Sequence, residues 1–176
     1  IAYSAIIVAV AVVLGYALAA IPNIELFTLT LFFGGYILGF SYGIATAAIA
    51  WFIYSMFNPF GMPPLPLFLS QIIGGMLTGL CGALFKIMIM KIKKRSLIFL
   101  MSAIYGAFVT LIFQIITNIG AFIAFGSDDT LRVFILGGLT FGILHTLSNT
   151  IIFIIMIPAI IRIFAQRNVY YHHSNR

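Results

Sequence analysis

Residues 26–57 read LFTLTLFFGGYILGFSYGIATAAIAWFIYSMF, 32 positions without one charged side chain. As a single α-helix this stretch would rise about 48 Å, well beyond a bilayer core of about 30 Å. As two shorter helices it folds back, and Gly39-Phe40-Ser41-Tyr42-Gly43 is where it turns. The division matters for topology. Two spans here place the amino terminus on one side of a membrane, and one span places it on the other.

The rest of the chain supports a membrane reading. Of 176 residues, 63% are hydrophobic and 7% charged, against about 45–50% and about 25% in ordinary soluble domains. That excludes a soluble globular domain, which lacks the polar surface it would need, and a disordered chain, which needs charge. Upstream, residues 1–20 are apolar and end in Ala17-Leu18-Ala19-Ala20, which resembles a signal cleavage site. With no basic segment before it, the stretch is read as the first span. Ile21-Pro22-Asn23-Ile24-Glu25 breaks it.

Downstream, residues 58–66 hold four of the six prolines and form a stiff loop. Further spans follow, separated by the basic turn Lys91-Ile92-Lys93-Lys94-Arg95-Ser96 and the polar turn Gly126-Ser127-Asp128-Asp129-Thr130. Pro158 is expected to end or kink the last. The expectation is an all-α integral membrane protein, a bundle of six transmembrane helices with cytoplasmic amino and carboxyl termini. One domain covers residues 1–163, with spans near 1–20, 26–40, 43–57, 67–90, 97–125 and 131–163. Residues 164–176 form a cytoplasmic tail.

The few charges orient this bundle. Lysine and arginine favour the cytoplasmic side, so the turn at 91–96 and the tail lie inside the plasma membrane. The loops at 21–25, 58–66 and 126–131 then face out. All three acids, Glu25, Asp128 and Asp129, fall outside, and of the nine bases Arg132 alone does. The net charge of +6 therefore reports topology, not a nucleic-acid partner. The lone Cys81 forms no internal disulfide. Gly-Gly-x-x-x-Gly recurs at 34–39, 74–79 and 137–142, and small residues four apart let helices pack closely in lipid.

Catalytic patterns are missing or misplaced. No Gly-Lys pair exists, so there is no Walker motif, and there is no His-Glu-x-x-His. Gly39-Phe40-Ser41-Tyr42-Gly43 matches a nucleophile elbow by letter only, since that motif needs a strand-to-helix turn. His145 and Ser148 have no nearby carboxylate in sequence to orient them. His172-His173 reads as solvated tail. No metal, cofactor or enzymatic activity is expected.

The informative residues are polar ones inside apolar spans, which need partners and tend to face the bundle interior. Gln114 and Asn118 are four apart, as are His145 and Asn149, so each pair shares a helix face. With Gln71 they form a candidate substrate pocket opening outward, or else a set of interhelical hydrogen bonds. Glu25, Arg132 and His145 are its possible charges. Amides and aromatics suit a neutral or flat heterocyclic ligand. Phe27, Tyr36, Phe57, Phe60, Phe68 and Phe113 are candidate walls.

Three segments resemble the S-component, the substrate-binding membrane subunit, of an energy-coupling factor (ECF) vitamin transporter. They are Ala5-Ile6-Ile7-Val8-Ala9, the loops at 21–26 and 58–61, and His145-Thr146-Leu147-Ser148-Asn149 with Pro158-Ala159-Ile160-Ile161-Arg162. The resemblance implies that Ala5 and Ala9 dock onto a transmembrane coupling protein. It also implies that the outer loops gate a vitamin-like molecule, which adds Asn58 to the binding candidates. Two partner ATPase subunits would supply the energy, consistent with the missing Walker motif. The competing readings are a membrane scaffold similar to bacterial rod-shape proteins, and a stand-alone small carrier.

Overall fold

The computed structural model describes residues 1–92, 94–126 and 131–174, with backbone alone at 131–140 and 164–174. These residues form six α-helices and no strand: α1 (Ala2–Leu18), α2 (Phe27–Leu38), α3 (Phe40–Met56), α4 (Leu65–Ile89), α5 (Arg95–Phe125) and α6 (Leu131–Ser174). The polar turn with Asp128 and Asp129, Lys93 and Arg176 lie outside the described residues, as do the side chains of Arg132, Arg167, His172 and His173. By length and composition, α4, α5 and the Phe141–Ile163 part of α6 are long and apolar enough to cross a membrane. The other three are shorter. At 12 residues, α2 rises only about 18 Å.

Backbone chemistry sets the breaks. Between α1 and α2, Pro22 has no amide hydrogen for a helix ladder. Beside it Asn23 takes φ 61°, a left-handed conformation that asparagine tolerates better than most residues. Gly39 alone joins α2 to α3. Its φ of 80° and ψ of −171° fall where only glycine sits readily, so the long apolar stretch becomes two helices hinged on one residue. After α3, Asn58 Oδ1 accepts the Phe60 N–H at 2.9 Å and the Asn58 carbonyl accepts the Gly61 N–H at 2.9 Å. Pro64 precedes α4 and Pro66 lies in its first turn, where the missing donor removes no helix bond.

Of the two outcomes expected at Pro158, an end to α6 is not the one seen. The helix does not end there but runs on to Ser174. Proline removes the bond to the carbonyl four residues earlier, a loss that membrane helices tolerate when neighbouring groups compensate.

α2 is the axis of the bundle, buried over most of its surface. Around it α1, α3, α4, α5 and α6 follow in order, each packed on the next, with α2 touching α1, α3, α4 and the edge of α6. Lipid tails are as apolar as leucine, so close van der Waals contact holds such helices together, not escape from water. Glycines supply that contact. A Cβ on Gly43 would lie 2.6 Å from Gly35 Cα, and one on Gly79 would lie 2.5 Å from the Gly43 carbonyl oxygen. Gly82 abuts the backbone of Phe32, and Gly75 the indole of Trp51. Gly39 differs from its companions in the repeat, with no neighbour within 4 Å.

Two aromatic layers fill the interior. Phe32, Phe85 and Phe153 centre one, and Phe27, Trp51 and Phe113 the other. Several buried hydroxyls are satisfied locally: Thr78, Ser102, Thr110 and Thr117 each donate to the carbonyl four residues earlier, whereas Thr46 Oγ1 meets no partner among the described residues. That leaves few polar groups to explain, and most of those gather at one end.

Candidate functional site

Glu25 closes the first loop immediately before α2. Its Oε2 accepts the Thr28 backbone N–H at 2.8 Å, so the carboxylate caps a helix amino terminus, where the peptide dipoles favour negative charge. Its Oε1 reaches α6. Asn149 Nδ2 donates to it at 3.0 Å, and His145 Nε2 stands 3.3 Å away. Burial pushes the Glu25 carboxyl up. The hydrogen bond and electrostatic attraction from His145, with the Thr28 hydrogen bonds, outweigh that and hold it below its ordinary value.

Counting hydrogens assigns the roles. Thr110 donates to the Gly106 carbonyl, which leaves its oxygen to accept from Asn149 Nδ2 at 3.2 Å. One Asn149 hydrogen goes to Thr110 and the other to Glu25. No Asn149 hydrogen remains for His145 Nε2, 3.1 Å away. Nε2 is therefore the protonated nitrogen and donates to Glu25 Oε1. Asn149 is 1% exposed, and its Oδ1 meets no donor among the described residues. Turning the amide to relieve Oδ1 would aim an oxygen at the carboxylate.

The cluster borders a cavity of about 250 Å³. Glu25, Thr28 and His145 form its polar side. Phe27, Trp51, Tyr54 and Phe113 form its aromatic side, and Pro22 and Asn23 of the first loop line it as well. The rings hold one another. Trp51 stacks on Phe113 at 4.9 Å and meets Phe27 edge-on at 4.7 Å. Tyr54 contacts Phe27 at 4.9 Å and stacks on Tyr16 at 4.9 Å. Tyr16 is pinned in turn by donating its hydroxyl to the Tyr54 carbonyl at 3.1 Å. This end of the bundle is remote from Arg95 and Arg162, which share a groove between α5 and α6. Along α5, Phe113 lies about 27 Å from Arg95.

Among the candidates from sequence, the structure brings together Glu25, His145 and Asn149. The remainder are placed elsewhere. Gln71 Oε1 accepts from Ser55 Oγ at 2.8 Å, joining α4 to α3. Gln114 is half-buried and faces α6 at Gly142, where a Cβ would come 3.5 Å from Gln114 Nε2. Asn118 is exposed. Asn58 serves its own turn. Of the candidate walls, Phe27 and Phe113 line the cavity. Tyr36 packs on Phe85, Phe68 on Phe52, and Phe57 and Phe60 are exposed.

Sequence reading passed over Thr28, Thr110, Trp51 and Tyr54. A signal existed for two of them, because Trp51 and Tyr54 are three apart and share a helix face. Nothing local marks Thr110, whose role depends on the height at which α5 and α6 pack.

A second, separate surface lies on α1 and α3. Ala5 and Ala9 are exposed and line an apolar groove of about 680 Å³ with Val12, Tyr42, Ala45 and Ile49.

In comparison with known families, the model of the ECF transporter, substrate-specific component, matches residues 1–157. Comparison with curated proteins and with solved structures gives no significant match.

Proposed function

This chain belongs to the substrate-specific components of ECF transporters, which are membrane proteins, and from that premise we propose that its cavity captures a small vitamin-like molecule for uptake. The observation that carries this is the cavity under the first loop, where Glu25 and His145 face a fixed set of aromatic rings. A scaffold has no use for such a site. In this reading six helices cross the plasma membrane of a bacterial cell, both termini are cytoplasmic, and the cavity opens outward. The span assigned to α2 is short, and its burial among protein neighbours suits that, because they, not lipid, surround it.

Transport then needs partners. The chain carries out no covalent chemistry, and two ATPase subunits hydrolyse ATP and act through a transmembrane coupling protein. The exposed small-residue face of α1, with Ala5 and Ala9 in an apolar groove, fits a docking helix of that protein. The test is mass spectrometry of small molecules retained by protein purified in mild detergent. Recovery of one compound from wild type, and its loss from Trp51→Ala protein that still folds, is the expected result. Retention by both would place the ligand elsewhere, and a chain that retains and binds nothing would favour the scaffold.

A further inference from the structure

We propose that the cavity takes a small organic cation, a positively charged nitrogen carried on a flat ring. The inference rests on the reading above that the cavity is the substrate site, and it names the ligand's charge and shape. Among the described residues lining the cavity, Glu25 is the one carboxylate, and there is no lysine or arginine. Three donors hold this carboxylate in place: Thr28 N–H, Asn149 Nδ2 and His145 Nε2. None of the three is a lysine or arginine. The side chain is still 22% exposed and lines the cavity, so a charged ligand there meets the carboxylate.

The other side of the cavity is built of aromatic rings. Phe27, Trp51, Tyr54 and Phe113 line it, and their mutual contacts fix the rings before a ligand arrives. The negative faces of such rings attract a cation, tryptophan most strongly. A flat ring also stacks on them at favourable distance. An anion entering here would face Glu25, and the one described base beside it, His145, already turns its Nε2 to that carboxylate. A neutral ring would gain the stacking but no attraction to the carboxylate. The volume of about 250 Å³ is below the usual range of about 300–1,000 Å³ for ligand sites, so the ligand is small, with one ring system.

Trp51 is the single tryptophan, so its fluorescence reports this cavity alone. The experiment titrates detergent-solubilised wild type with three ligands of nearly one shape: 1-methylnicotinamide (cation), nicotinamide (neutral) and nicotinate (anion). Benzyltrimethylammonium serves as a second cation. A cation is expected to give saturable quenching at about tenfold lower concentration than nicotinamide or nicotinate. In Glu25→Gln protein, which keeps a side-chain acceptor for Thr28, that preference is expected to vanish. Tighter or equal binding of nicotinamide or nicotinate, or a cation preference that survives Glu25→Gln, overturns the charge assignment and leaves the cavity as a binding site. Absence of saturable quenching by all four ligands overturns the charge assignment and the substrate-site reading together.

Discussion

Glu25 and Asn149 are 124 residues apart in sequence, and their side chains meet at 3.0 Å. The contact ties the first loop to α6, which otherwise rests mainly on α5. Asn149→Asp places a second carboxylate against Glu25 Oε1. Like charges at this distance cannot both ionise without cost. The melting temperature of the detergent-solubilised variant should fall at pH 7 and recover in part by pH 5, as the pair takes up a shared proton. A variant as stable as wild type at pH 7 would mean that the two side chains do not meet.

The lowered Glu25 carboxyl has its own signature. A carboxyl depressed on folding contributes stability that is complete above its ordinary value near 4.5, and that stability is lost as pH falls through the lower folded value. Wild type should therefore lose melting temperature on acidification below about pH 4.5. Glu25→Gln should start lower at pH 7 and lose less over the same window. Parallel curves for the two proteins would contradict the assignment. Glu25→Ala, which strands the Thr28, His145 and Asn149 donors, should cost about 1–3 kcal/mol at neutral pH.

Glycines of one repeat should respond differently to alanine. Gly35→Ala drives a methyl group into the backbone of Gly79, where nothing can yield, so the variant should fail to give a monodisperse folded species on size-exclusion chromatography. Gly39→Ala meets no neighbour but must hold φ 80°, a strain of about 1–3 kcal/mol. It should fold with a lowered melting temperature. Gly142→Ala, with only ordinary contact to Gln114, should melt close to wild type.

The small-residue face of α1 separates docking from binding. Ala5→Leu combined with Ala9→Leu fills the groove on α1 and α3, which lies apart from the cavity. Substrate uptake by whole cells should drop at least about tenfold, while ligand affinity of the isolated chain stays within about twofold. A matching loss of affinity would show that the groove is not a separate surface.

Helix type and the principal breaks were legible in local sequence. Pro22, the proline-rich loop and the basic turn are marked by residue chemistry alone, and Gly39 because no 48 Å helix suits the bilayer. Candidate residues were harder to sort. His145 and Asn149 stood out because polar groups are conspicuous in an apolar span, but so did Gln71, Gln114, Asn118 and Asn58. Periodicity tells which residues share one helix face. It does not tell which face of a neighbour they meet, or at what height. Gln71 found Ser55 on α3 and Asn58 found its own turn, so neither joins the Glu25 cluster.

What the sequence by itself determined was the class of molecule: an apolar, helical, sparsely charged chain whose acids and bases are sorted along its length. Those properties follow from composition and from short-range rules of backbone and hydrophobicity. Only the tertiary structure decided which polar groups form a site. A loop carboxylate, a histidine and an amide on α6, a threonine on α5 and rings on α2, α3 and α5 converge because glycines let α2, α3 and α4 pack backbone to backbone. That packing fixes the height and rotation of each helix, and no single segment encodes it.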